Sequence, residues 1–397
     1  MLTRIFRFFA SDIMTKGLSV LFIPLFSYLL GPDELGLFSE WFSLFNVFAA
    51  FVSMGIPSYA LVLLSRSEGN DEVVNQKLLK FLTEWCVFLG VCNVVFAIFS
   101  PNLLYGLGLY FSACFFTVIS YVSAILRHKN LYKKYFVLQL SLALSVSVVP
   151  LVFIYSSPTW ESRVEGYLLG LFVTTATVFF LCSRSIKLGS ISKKFRVEAF
   201  YFGSSIVLMG VVSWLKLGAD IQFLKLDSGY SSSGILFFSF QIVSIVSIIA
   251  ASLNRSSSPI FYKLIHELKR YEFVQLIFRL TFCLCVLAAL TVLISYWLVG
   301  FFLPEFESSM FLIYPMAIGA VIYGVGQFVA SIYLYCKKPH ILTWCIVISS
   351  LIHPVASYLF VFSMGWDWVG FSYLVSSVVF FFMVGINLKK VQSVWKV

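Results

Sequence analysis

The sequence is short of charge. Asp, Glu, Lys and Arg make up 12% of its 397 residues, about half the share in a soluble globular domain. With 60% hydrophobic residues and a mean hydropathy of +0.94, the chain has too little polar surface to cover a core in water. A soluble fold is excluded, and the chain is read as an integral membrane protein. Cys-x-x-Cys is missing as well. The eight cysteines are scattered through apolar runs, and Cys283 and Cys285 fall on different sides of a helix. Neither a disulfide framework nor a metal site is indicated, so the cysteines are read as small buried hydrophobes.

Long loops are the third absence. No connection between apolar runs could hold a soluble domain on either side, so the protein acts inside or across the bilayer. No Asp-x-Asp signature for a metal–nucleotide complex lies in a loop, and no cofactor motif occurs; an enzyme is not expected. The net charge of +10 is spread over short loops, which argues against nucleic acid as a partner. The basic-then-apolar start, MLTRIFRFFASD, is interrupted by Asp12 and Lys16. It lacks a small-x-small cleavage site, so it is read as the start of a retained helix.

A helix needs about 20 apolar residues to cross a bilayer. Runs of that kind lie near 8–30, 36–64, 79–100, 103–126, 135–155, 164–183, 198–219, 234–253, 274–302, 309–335, 340–363 and 369–388. The loops between them alternate in character. One set carries Arg66, Lys77, Arg127, Lys129, Lys187, Lys194, Lys263 and Lys269, together with the basic ends of the chain. The other holds Asp33, Glu34, Glu161, Glu165, Glu305 and Asp367. The positive-inside rule then puts both termini in the cytoplasm. Trp41, Trp160, Trp366 and Trp368 are expected in an outer aromatic belt.

The two halves repeat each other. Gly31, Gly36 and Phe42 match Gly229, Gly234 and Phe240 at one constant offset of 198 residues. Pro57 with Pro259, and Gly166-Tyr167 with Gly370-Phe371, match at slightly larger offsets. Six spans per half make these parallel repeats. The expected fold is therefore all-α, with twelve transmembrane helices in two six-helix bundles around a central cleft. The bundles are placed at 1–190 and 191–397.

Residues 25–62, LFSYLLGPDELGLFSEWFSLFNVFAAFVSMGIPSYALV, resemble the opening of bacterial O-antigen and polysaccharide repeat-unit flippases. There a first helix ends in a Leu-Gly-Pro-acidic corner. Residues 218–245 resemble that family's Asp-led segment between helices seven and eight, although Ile221 stands where many relatives have Arg. The resemblance implies the two-bundle fold shared with multidrug and toxin extrusion transporters, and no enzymatic activity. The implied cargo is an oligosaccharide on undecaprenyl pyrophosphate, carried across the bacterial inner membrane with ion-gradient coupling by alternating access. A polysaccharide polymerase and a chain-length regulator are the implied partners. A cation-coupled multidrug exporter of the same superfamily is the alternative.

Charged groups within spans are the candidate site residues, because each costs about 2.5–3.5 kcal/mol at mid-membrane. Lys16 is expected to meet the cargo's pyrophosphate, with Asp12 one turn earlier holding it; the competing reading is an interfacial pair with a snorkelling lysine. Arg279 is a second candidate cation for the cargo, or another snorkelling side chain. Asp220, at the outer end of the seventh span with Lys216 one turn before it, Glu40 and Glu84 in the first turns of theirs, and His353 are candidates for ion coupling or gating; a structural ion pair for Asp220 and interfacial helix starts for the two glutamates are the competing readings. His353 is followed by the helix breaker Pro354, and a titratable group beside a helix breaker is what a proton-coupled transporter could use. A kinked helix with a hydrogen-bonded histidine is the plainer account.

Overall fold

The computed structural model describes residues 17–18, 20–64, 71–98, 103–182, 189–336 and 338–388. Among them lie twelve α-helices and two short 3₁₀ turns. The helices are α1 (Ile23–Ser53), α2 (Ile56–Leu64), α3 (Asp71–Ile98), α4 (Leu103–His128), α5 (Tyr132–Ser156) and α6 (Trp160–Cys182). The second half supplies α7 (Lys193–Ser228), α8 (Tyr230–His266), α9 (Arg270–Phe302), α10 (Ser309–Tyr335), α11 (Pro339–Met364) and α12 (Gly370–Asn387). Ten stretches are long and apolar enough to cross a membrane among the described residues, with Ile23–Leu64 counting as one. Helices suit this setting because each satisfies its own backbone polar groups away from water.

Two compact units form. One gathers Val20–Ser39 with the chain from Leu215 onward; the other is Glu40–Trp214. Both boundaries fall inside helices, α1 and α7, which therefore run from one unit into the other.

In the unit built from Glu40–Trp214, Ile56, Tyr59, Leu78, Phe81, Tyr121 and Ala199 make one apolar core. Met54 and Gly55, both with positive φ, separate α1 from α2. Helices α5 and α6 pack closely because α6 offers glycines: a Cβ on Gly166 would lie 2.4 Å from Cα of Pro150, and one on Gly170 2.5 Å from the Ser145 carbonyl oxygen. Small residues four apart let membrane helices approach in this way. Trp41 is fully buried here and stacks on Phe45 with ring centres 5.7 Å apart. It is therefore a core residue, not part of an aromatic belt.

The other unit has its core around Phe261, Phe273, Leu284, Phe328, Tyr333 and Phe380. Its repeat-related corners share one backbone conformation. Gly31 has φ 69° and ψ 174°, and Gly229 has φ 84° and ψ −169°. That region is open to glycine almost alone. Beyond each corner the chain re-enters helix, and five residues on the two segments cross. A Cβ on Gly36 would lie 1.9 Å from the Tyr230 carbonyl oxygen, and a Cβ on Gly234 1.9 Å from that of Pro32. The repeat read in the sequence is thus a reciprocal backbone contact within this unit.

The cysteines depart from expectation. Among the described ones only Cys345 is buried, while Cys92, Cys283 and Cys285 are exposed and all are free thiols. A span's lipid-facing surface is as apolar as its core, so an apolar residue gains nothing there by being buried.

Candidate functional site

The unit containing Leu215 onward holds a polar cluster formed by five helices. Asp220 lies on α7, which continues to Ser228; the carboxylate is therefore inside the helix, and it is buried. His353 lies on α11, which runs unbroken through Pro354. The two side chains, 1% and 7% exposed for His353 and Asp220, meet with Nε2 2.9 Å from Oδ2 and 3.1 Å from Oδ1. Helix α12 closes the other side of the imidazole. Ser376 Oγ is 3.2 Å from Nδ1, and Ser372 Oγ is 3.3 Å from Nε2.

One turn before Asp220, Lys216 sends its ammonium over the Tyr323 ring of α10, 4.9 Å from the ring centre. Tyr373 of α12 is 6.0 Å from the same nitrogen. Aromatic faces attract cations by about 0.5–2 kcal/mol, more as water is excluded. Ser247 of α8 lies near the Tyr373 hydroxyl, and Gln327 near that of Tyr323. An acid, a titratable ring and an amine thus sit within one turn of α7 and the facing helices. Such a cluster can bind and release an ion while its helices shift.

Asp220 and His353 are therefore brought together with Lys216, whose place one turn before Asp220 the sequence gives, and Ser372, Ser376 and the two tyrosines join them unannounced by the sequence. Arg279 is exposed on α9 and is not among them. Glu40 is partly buried in the other unit. Lys16 and Asp12 lie outside the described residues.

Glu84 also belongs to the other unit, where it accepts two hydrogen bonds from Arg196, Nε to Oε2 and Nη2 to Oε1, both at 3.1 Å. Lys80 stands 4.0 Å away. The carboxylate is 39% exposed and the guanidinium 50%, so this pair is a half-solvated clamp between α3 and α7. Exposed pairs contribute about 0–1 kcal/mol. Accordingly, Glu84→Gln is expected to lower stability by about 1 kcal/mol or less, as measured by denaturation in micelles.

Arg163 stands one residue before the sixth expected span, which starts near 164. It is 5% exposed on α6, one turn before Tyr167, whose ring meets Trp41 at 5.9 Å and Phe45 at 5.5 Å. Outside the spans, Glu267 receives the Lys269 ammonium at 3.0 Å. That hydrogen bond holds its carboxyl below the usual carboxylate range. The contact is therefore kept above that range and is lost only as acid protonates the folded form.

No protein-family model and no curated protein sequence matches the chain. Solved structures do. An inward-facing multidrug-resistance MATE transporter of the MOP superfamily superposes with a TM-score of 0.76 at 13% identity, covering 95% of this chain and 96% of that one. An outward-facing MATE transporter of that superfamily gives 0.65 at 13% identity over 99% and 97%. A MOP-superfamily transporter from Pyrococcus furiosus, described as having a binding pocket of reversed polarity, gives 0.64 at 14% identity over 98% and 96%. The chain is a multi-pass membrane protein with the all-α fold of MATE transporters. At this identity the likeness defines the fold and not the cargo.

Proposed function

We propose that the protein is an ion-coupled membrane transporter working by alternating access, an exporter of the multidrug and toxin extrusion kind, with Asp220 and His353 as its coupling site. One observation carries this reading: a carboxylate and an imidazole, both buried, are paired between helices of an apolar unit. Charges there are expensive and rare, and they mark ion and proton paths. The transporter fold supplies the setting. In cells that lack the gene and carry it on a plasmid, ethidium extrusion is expected with the native sequence and to be lost with His353→Asn. Equal extrusion by both would remove His353 from the coupling site.

A second reading has its own observation. Lys216, partly buried among aromatic rings, is an unusual group for a site that handles cations alone. It suits the flippase reading, in which undecaprenyl-pyrophosphate-linked glycan crosses the inner membrane to meet a polymerase and a chain-length regulator. That reading expects deletion of the gene to abolish the surface polymer and to leave single lipid-linked units inside the cell. Normal polymer in the deletion strain leaves only the exporter.

Both readings place the chain in a bacterial inner membrane with cytoplasmic termini. A phosphatase fusion to the C-terminus, active only in the periplasm, is expected to be inactive, and a fusion after Glu305 active. The reverse pattern would invert the topology.

A further inference from the structure

Helices α11 and α12 carry charge of one sign at the ends that meet the basic loops. The sequence there reads Lys337-Lys338-Pro339-His340 at the start of α11, and Lys389-Lys390 follows α12. Between Glu307 and the C-terminus the only acidic residue is Asp367. It lies in the turn Trp366–Val369, beyond the far end of α11. At 1.5 Å per residue, that is about 40 Å from the start of the helix.

Between the two basic ends a cavity of about 410 Å³ opens, with Lys338, His340, Trp344 and Ile348 on one side and Met383 and Asn387 on the other. Its size falls in the ~300–1,000 Å³ range of small-ligand sites. The interior is apolar: Ile341 and Cys345 of α11 are buried, and Met383 supplies the α12 wall. The Tyr333 hydroxyl of α10 donates to the Val384 carbonyl, which fixes α12 beside Met383.

The polar groups of the cavity offer hydrogens. Lys338 has its ammonium, and His340 has a ring N–H in either tautomer. Asn387 donates to the Met383 carbonyl at 2.8 Å and keeps a second amide hydrogen. Among the described residues no carboxylate lines the cavity. Trp344 is 64% exposed, and an indole near the end of a span suits the headgroup level of a bilayer.

A free phosphate would satisfy the donors but leave the apolar walls bare. A zwitterionic lipid would bring its own ammonium against Lys338. An acidic headgroup joined to a hydrocarbon chain meets both parts of the cavity, and basic pockets between membrane helices bind such lipids.

We propose that this cavity is a binding site for one anionic phospholipid of the surrounding bilayer, with the phosphate at Lys338 and His340 and the upper acyl chain between Ile341, Ile348 and Met383. One wall belongs to each helix, so the lipid ties the ends of α11 and α12 together.

Trp344 supplies the probe. The full-length protein is placed in phosphatidylcholine vesicles containing a small share of brominated phosphatidylglycerol or of brominated phosphatidylcholine. Bromine on the acyl chain quenches an indole that it touches. The chain has nine tryptophans, so the Trp344 signal is taken as the difference from Trp344→Phe. It is expected to be quenched at a several-fold lower content of phosphatidylglycerol than of phosphatidylcholine. Lys338→Gln should lower that preference about fivefold, and adding His340→Gln should lower it further. Lys338→Arg should keep it. Lys193→Gln with Lys194→Gln, two exposed cations of the other unit, should leave it unchanged. Ile348→Phe narrows the cavity but spares both cations, and should weaken quenching by phosphatidylglycerol. Equal quenching of the native Trp344 by the two lipids overturns the proposal, as does an undiminished preference in Lys338→Gln with His340→Gln. Unaltered quenching in Ile348→Phe overturns it too, since charge would then attract the lipid without the cavity.

Discussion

Replacing Gly36 with alanine should cost the protein its function, although alanine is the better helix former by about 1 kcal/mol. The added Cβ would stand 1.9 Å from the Tyr230 carbonyl oxygen and 3.2 Å from the Gly234 nitrogen. Both are backbone atoms, which have no rotamer to give way. Gly234→Ala meets Pro32 in the mirror-image manner and should have the same effect. Because the two changes break one shared contact, the double variant should be scarcely worse than either single one. Spin labels at Asp33 and Ser231, each beside one of the contacting carbonyls, should show a short distance in the native protein and its loss in Gly36→Ala. Transport should fall below about a tenth, the effect of more than about 1.4 kcal/mol on the step concerned. An unchanged distance distribution would mean that the crossing is not a point the protein depends on.

That contact was half legible beforehand. The glycines stood out because their spacing repeats at an offset of 198, and a repeated glycine invites the question of what backbone it allows. The sequence could not say that the repeats touch, since periodicity gives a residue its face and not its partner.

The second large effect is expected at Asp220. Asp220→Asn keeps the shape and removes the charge that faces His353. Breaking a buried pair by losing one member costs about 3–5 kcal/mol, because the other is left uncompensated. Asp220→Asn and His353→Leu should each destabilise the protein in micelles by about that much. The double variant should recover part of the loss, since His353 is no longer left facing an amide, while Lys216 still lacks the nearby carboxylate. Transport should stay absent in all three, which separates the pair's coupling role from its part in stability. Additive destabilisation in the double variant would show that the two side chains do not act as a pair.

Asp220 and His353 could be picked out singly, as titratable groups within apolar runs. Their meeting spans 133 residues of chain and was not readable. Two errors of boundary mattered more. The seventh was expected to end near 219, one residue before Asp220, whereas α7 runs to Ser228. The sixth was expected to start near 164, one residue after Arg163, which is buried in α6. Ser372 and Ser376 carry no signal at all, because serine in a membrane helix usually returns its hydrogen to its own backbone. Theirs do so too, and it is their oxygens that face the ring. Glu84 stood out for the same reason as Asp220, and only the approach of Arg196 separates their roles.

The central claim is that Asp220 and His353 couple ion movement to transport. The most direct measurement uses everted membrane vesicles with a proton gradient built by respiration and followed by acridine orange fluorescence. Adding ethidium to vesicles with the native protein should discharge part of the gradient at once. Vesicles with Asp220→Asn or His353→Asn, at equal protein levels, should show no response. An equal discharge from native and variant vesicles would contradict the account.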